Sequence, residues 1–460
     1  MSETIARVPS RTAPCPCRSG RRYKDCHGAL ATSLLISDEQ KAHQLALDGL
    51  NAQKRQNLPL ARAYYEQAIA LSPNHADALH MLGMVHYELG EPMAAAPLVL
   101  RALDLTQWQE PSLRHNLGLI LSKLIALRDG GEIDYGLSAK GRYYRETLTS
   151  KRVTERITST RTPLVSVVVP SFNHAPYLRA ALESIYAQTY REIEVVVIDD
   201  GSTDNSADIA IASLAECPFP HQMIRRQNRG AHATLNEAAK LSQGHYINPL
   251  NSDDLFTPQR IAHMVDAAET YGTSLVFSAT HFVDANTLAI DPFADARVYS
   301  LLCRQANIAY RETVGNALLQ DNVAVTTGNL FFSRALFDTL GGFRDFRYNH
   351  DWDFCLRALW FDEPHYLDEP LYQYRFHGSN TISESADKNR AEALRIHSEY
   401  FLRAFDPQEA GREFTPNLHQ WGNRFVVDVL GSGLSAAVSP ATLKAYALSL
   451  MPSRVVANRS

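Results

Sequence analysis

From Pro163 the chain runs PLVSVVVPSFN, with apolar and β-branched residues at consecutive rather than alternate positions. A strand of that kind is covered on both faces, as in a parallel sheet between helices. The next stretch, YLRAALESIYAQ, changes to helical periodicity, and EVVVIDDGSTDNSADIA then repeats strand, acidic turn and helix. This is a βαβ unit with both turns at the carboxyl ends of parallel strands. Ligands of open α/β sheets sit at that edge. Farther on, GHYINPL leads to the adjacent carboxylates Asp253 and Asp254, with a helix predicted to start at Pro258. By itself the pair leaves two roles open, a helix N-cap and a metal site.

Upstream, Gly49 recurs as Gly83 and Gly118, Ala68 as Ala102 and Leu71 as Leu105, a spacing of 34 residues that slips once to 35. That is the period of a helix-turn-helix solenoid. ARAYYEQAIALSPNHADAL places Ala61, Tyr65, Ala68 and Pro73 as a tetratricopeptide repeat would, and Leu79, Leu82, Gly83, Ala95 and Ala102 repeat the match. The third unit fades after HNLGLIL, so residues 38–127 are expected to hold about two and a half repeats and to offer a surface to a polypeptide partner.

Composition narrows the class. With 460 residues the chain exceeds a single core, and 45% hydrophobic residues is an ordinary globular share. A net charge of -5 with scattered Lys and Arg argues against a nucleic-acid partner. No apolar run approaches a membrane span and MSETIARVPSRTAPC lacks the core of a signal peptide. A cytoplasmic location is expected, with peripheral association at the inner membrane of a bacterium as the alternative. Of six cysteines, three are bunched in PCPCRSGRRYKDCHG. Cys15, Cys17, Cys26 and His27 are the ligand set of a closed structural zinc site, and a segment this short would need the metal to fold. Residues 12–29 resemble the small zinc-binding SEC-C motif, which implies docking to another protein and no chemistry.

After a linker at 128–162, rich in Gly-Gly and basic residues, the βαβ segment continues through NRGAHATLNEAAKLSQGHYINPLNSDDLFTPQRI, TTGNLFFSRALFDTLGGFR, NHDWDFCLRAL and YRFHGSNTIS. Together these five motifs, in order over residues 163–385, resemble the family 2 glycosyltransferases. The resemblance implies an α/β catalytic domain of the GT-A fold, with a Rossmann-like mixed sheet, preceded here by the all-α solenoid and the zinc motif. It implies an enzyme with a nucleotide-sugar donor, expected to be UDP-linked, a divalent cation (magnesium or manganese) for the diphosphate, and a base for the acceptor. Residues 386–460 are expected to form a helical extension packed on this domain.

The resemblance also implies roles. Pro170 and Phe172 would border the nucleobase, Asp200 would accept from it, and Asn236 would line the same wall, while Asp199 and Asn173 would shape the turn. Asp253 matches the last acid of an Asp-X-Asp triplet that meets the cation, and Asn251 stands where its first acid would. Such an ion takes only one or two protein carboxylates, so the site is expected to work in weakened form, leaving Asp254 as a helix cap. Asp351 matches the base, with His350 in place of a common Glu and Asp353 as the second candidate. His377 matches a position that often faces the diphosphate or cation, with Arg375 before it. Inverting transfer to a protein acceptor presented by the repeats is the leading expectation. A saccharide or lipid-linked acceptor, and an inactive scaffold working through its zinc and repeat modules, are the alternatives.

Overall fold

The computed structural model describes residues 12–15, 17–26, 37–129, 162–378, 385–406 and 408–451. His27 and most of the 128–162 linker lie outside the described residues. The chain divides into two compact units, one holding the described residues up to 129 together with those from Leu443, the other the residues between.

The first unit is a stack of helices: α1 (Asp38–Lys54), α2 (Leu58–Leu71), α3 (Ala76–Glu88), α4 (Pro92–Leu105) and α5 (Pro111–Asp129). A capping box starts α1, with Gln40 N–H donating to Ser37 Oγ and Ser37 N–H to Gln40 Oε1. The recurring glycines lie where helices cross closely. A Cβ on Gly49 would stand 2.6 Å from the Tyr65 ring, and one on Gly83 2.6 Å from Val99. Small residues elsewhere (Ala42, Ala61, Ala68, Ala78) fill the core around Tyr65. Among the described residues, two helix pairs, α1–α2 and α3–α4, are followed by α5. The C-terminal extension corrects one expectation. Residues 386–442 group with the α/β unit, but those from Leu443 join the helical unit, where Lys444 Nζ meets Asp104 at 2.7 Å and Met451 is buried.

The second unit is built on β1 (Val165–Ser171), α6 (Ala175–Tyr186), β2 (Ile193–Asp199), α7 (Ser206–Leu214), β3 (His221–Arg225), α8 (Ala231–Leu241) and β4 (Tyr246–Pro249). It continues with β5 (Leu255–Phe256), α9 (Arg260–Tyr271), β6 (Leu275–Val283), α10 (Ala296–Ala306), α11 (Val314–Gln320), β7 (Phe331–Ser333), α12 (Arg334–Leu340), α13 (His350–Ala358), β8 (His365–Arg375) and α14 (Ala386–Ala404). The sheet order is β3-β2-β1-β4-β7-β6-β8-β5. Strands β3, β2, β1 and β4 are parallel, β7 runs antiparallel to β4 and β6, and β8 is parallel to β6 with a bulge. The consecutive valines of β1 and β2 are buried on both faces: Val165, Val167, Val169, Val195 and Val197 pack with α6 and α7, and α8 also packs against both strands. A mixed α/β sheet after a helical region is the order of parts that the sequence led one to expect. The helix expected from Pro258 begins two residues later, at Arg260. Among the described residues no helix is long and apolar enough to cross a membrane.

Candidate active site

The carboxyl ends of β1, β2 and β4 open into a cavity of about 640 Å³, within the usual range of small-molecule sites. Pro170, Phe172, Asp200, Asn251, Asp253, Asp254, His350 and Asp351 all line it. Phe172 is half-exposed on its rim. Behind Phe172, Asn173 takes a left-handed φ of 54°, a conformation Asn tolerates. Its Oδ1 then accepts from Thr203 N–H at 2.8 Å. Asp199 ends β2 and accepts from Ser202 N–H at 3.3 Å.

Asp200 accepts from the N–H groups of Arg229 and Gly230 at 2.9 Å each and pairs with Arg226. Gly201 makes this possible. Its φ is 78° and a Cβ would stand 2.8 Å from Asn228 N, so only glycine lets the two loops come together. Asn236 corrects the expectation that it lines this wall. It lies outside the cavity lining, and its amide is used up on Phe343, donating to the carbonyl at 2.7 Å and accepting from the N–H at 2.8 Å.

The two adjacent carboxylates are turned to different partners. Asp253 Oδ2 accepts from His377 Nε2 at 2.9 Å and lies 3.8 Å from His174 Nε2. Burial alone would raise its pKa, but the His377 hydrogen bond and the nearby His174 hold it below the ordinary value. One ligand atom from each of His174, Asp253 and His377 lies within 4.8 Å of the others, a set of donors that one divalent ion can bridge. Asp254 is not a helix cap: the N-cap of α9 is Gln259, and the Asp254 carboxylate is engaged elsewhere. It accepts from Tyr372 O–H at 2.6 Å, Arg375 N–H at 2.8 Å and Asn251 Nδ2 at 3.1 Å. Burial and the charge of Asp253 push its pKa well up. Arg375 is scaffold, its guanidinium donating to the Asp253 carbonyl at 2.7 Å.

The candidate bases separate as well. Asp351, at the start of α13, is 5% exposed and faces the cavity. Burial raises its pKa, with His350, the Trp352 N–H and Asn322 opposing. His350 is itself pushed down by burial and pairs through Nε2 with Thr327 Oγ1 at 2.9 Å. Asp353 corrects its nomination as second base. It is 1% exposed, lies outside the cavity lining, and is held between Arg344 and Arg357. Tyr374 links the two halves of the site, its phenol raised by burial and by Asp254, Asp253 and Asp351 together. The sequence reading missed His174, Asn322 and Thr327. His174 carried a usable signal, lying three residues beyond β1 at the ligand-binding edge; Asn322 sits in a loop with no periodic pattern, and Thr327 opens a short 3-10 helix (Thr327–Asn329) inside the TTGNLFF motif.

At the N-terminus, Cys17 Sγ lies 3.4 Å from Cys15 Sγ and 3.5 Å from Cys26 Sγ. Among the described residues none of the three is joined in a disulfide. Sulfurs sharing one zinc at about 2.3 Å would stand roughly 3.7 Å apart, so the trio fits such an ion.

Residues 166–341 match Glycosyl transferase family 2, residues 11–29 the SEC-C motif and residues 64–96 a tetratricopeptide repeat. An uncharacterized glycosyltransferase of Rickettsia typhi is 26% identical over 253 residues, 55% of this chain and 75% of that one. Chondroitin synthase of Escherichia coli is 26% identical over 263 residues, 57% of this chain and 35% of that one. A crystal structure of S. aureus TarS in complex with UDP-GlcNAc superposes with a TM-score of 0.44 at 19% identity, over 54% of this chain and 68% of that one. The chain thus carries a family 2 glycosyltransferase domain behind an N-terminal SEC-C motif and a tetratricopeptide repeat.

Proposed function

We propose that the protein is an inverting glycosyltransferase that takes its sugar from a nucleotide-sugar donor, UDP-linked, and passes it to a protein acceptor held by the repeats. The observation that carries the donor half is a single cavity bordered by Pro170, Phe172 and Asp200 on one side and by Asp253 and Asp351 on the other. Phe172 offers a ring face to a nucleobase, and the one acceptor position of Asp200 left open by its three donors would receive a base N–H. Asp253 and His377 would hold the divalent cation, magnesium or manganese, which offsets the charge of the diphosphate. For the acceptor half, the support is the solenoid, which leaves Leu47, Leu60, Leu71 and Met93 open to solvent.

Asp351 acts as the general base. Its carboxylate takes the proton of the acceptor hydroxyl as the new bond to the anomeric carbon forms. The bond from that carbon to the diphosphate breaks, and its electron pair leaves with the phosphate. Burial suits the task, since a raised pKa makes a carboxylate a stronger base. With Asp351 assigned to the acceptor proton, Asp253 to the cation and Asp200 to the nucleobase, and Asp254 held by Tyr372, Arg375 and Asn251, the acceptor oxygen attacks directly and the anomeric centre is inverted. A screen of nucleotide-sugars for hydrolysis and transfer, with and without divalent metal, tests the reading. Metal-dependent turnover of one donor is expected. Failure of wild type to bind any nucleoside diphosphate in magnesium or manganese would leave the inactive scaffold as the better account.

A further inference from the structure

We infer that His174 is a third protein ligand of the cation, and that its presence selects a first-row transition ion over magnesium. The inference rests on the proposed roles of Asp253 and His377 and extends them. His174 occupies the N-cap position of α6, yet its side chain makes no capping hydrogen bond. The ring is therefore not used by the helix. Its Nδ1 is paired with Ser252 Oγ at 2.8 Å, the kind of outer partner that fixes the tautomer of a ligating histidine and presents the other nitrogen to a metal. That other nitrogen, Nε2, faces Asp253 Oδ2 at 3.8 Å. His377 Nε2 approaches the same oxygen at 2.9 Å. Two ligand atoms each about 2.1 Å from one ion stand roughly 3 to 4.2 Å apart, so both separations suit a shared ion.

The surroundings hold the two rings in place. The His174 N–H donates to Ser206 Oγ at 3.0 Å. The His377 ring lies edge-on to His174 at 5.6 Å and packs on Tyr177 at 4.6 Å, with Arg375 over the Tyr177 ring at 5.1 Å. Neither imidazole needs a large movement to engage. Two imidazoles and one carboxylate are a nitrogen-rich set. Magnesium favours oxygen ligands and keeps several waters, whereas imidazole suits ions such as iron, nickel and zinc, and two histidines with one carboxylate leave positions open for other ligands. Those positions would face the cavity, where the diphosphate is proposed to lie.

Manganese is the probe, because it is paramagnetic and the thiolates of the N-terminal motif do not favour it. Full-length wild type, without nucleotide, is titrated with Mn²⁺ and followed by EPR. Bound manganese should show ¹⁴N couplings from two imidazoles, and excess Mg²⁺ should displace it poorly. His174→Gln should weaken Mn²⁺ binding by at least about tenfold, since even outer partners of a ligand cost 10- to 100-fold, and should leave one imidazole coupling. Bound manganese in wild type with a single nitrogen ligand would overturn the inference, and that readout does not depend on the variant folding. Unchanged Mn²⁺ affinity in His174→Gln would overturn it too. Both results would leave the Asp253 and His377 assignment standing. No Mn²⁺ uptake by wild type even with UDP present would sink that assignment together with the inference.

Discussion

Two substitutions two residues apart on α13 should fail in opposite ways. Asp351→Asn keeps the shape of the side chain and its acceptor for the Trp352 N–H, now 2.7 Å from Oδ1, but cannot take a proton. Among the described residues no Lys or Arg ion pair is lost, and a buried charge is removed, so the fold should melt as wild type does. Transfer should fall by about 10² to 10⁴, or roughly 3 to 5 kcal/mol of barrier. Asp353→Asn should do the reverse. It strips the partner from Arg344 and Arg357, which donate to both oxygens of a carboxylate that is 1% exposed. Breaking a fully buried pair costs about 3–5 kcal/mol. The Arg344 side chain is 39% exposed and can turn to Glu399 or to water, so screening reduces the expected loss to about 2–3 kcal/mol. At about 2 °C per kcal/mol for a unit of this size, the apparent Tm should drop by roughly 4–6 °C. The assays are calorimetric melting of each variant and transfer rates measured well below its Tm. If Asp353→Asn abolishes transfer at wild-type Tm while Asp351→Asn turns over at full rate, the assignment of roles is wrong.

The acid limb of kcat/KM for the acceptor should lie above the ordinary carboxylate range, because burial raises the pKa of Asp351 and the base works only when ionised; pH–rate profiles check this, and the limb should vanish in Asp351→Asn. Asp253→Ala should weaken metal-dependent binding of nucleoside diphosphate in a calorimetric titration, with metal-free binding changed little. Cys26→Ser should remove about one zinc per chain by elemental analysis and leave nucleotide binding alone, since the thiol trio belongs to the other unit; full zinc occupancy would refute the ligand set. Asn251→Asp, which restores an acid to the place where the family pattern has one, should lower metal-dependent nucleotide binding rather than raise it, and tighter binding would count against the reading of Asp254.

Why some of this was legible is a matter of period and reach. The runs in β1 and β2 could be read because a strand covered on both faces needs apolar residues at every position. The repeats could be read because close helix crossings leave no room for a Cβ at Gly49 and Gly83. The destination of residues from Leu443 could not, since nothing local in the short helix Pro440–Ser449 names its partner, and Asp104 is hundreds of positions away. Asp353 was a misreading the sequence itself could have prevented. Residues i and i+2 of a helix do not share a face, so once α13 is a helix and Asp351 faces the cavity, Asp353 must face elsewhere. The arginine four residues on, Arg357, marked the face it occupies.

Asn251 shows the harder limit. Read along the chain it is a missing acid beside Asp253, and the natural conclusion is a weakened site. In space its partners are Asp254, to which Nδ2 donates at 3.1 Å, and Thr326, whose Oγ1 accepts at 2.8 Å. An aspartate at 251 could not donate to Asp254. It would set two carboxylates about 3 Å apart, at a cost near 5 kcal/mol for an effective dielectric of 20, or force one of them to stay protonated. Asp254 cannot easily be spared, because Tyr372 and the backbone of Arg375 both depend on it, and Arg375 in turn leads β8 to His377. The Asn at 251 is therefore matched to a buried acid at 254. The partner that fixes Asp254, Tyr372, lies more than a hundred residues away, and that distance is why the match is invisible until the chain is folded.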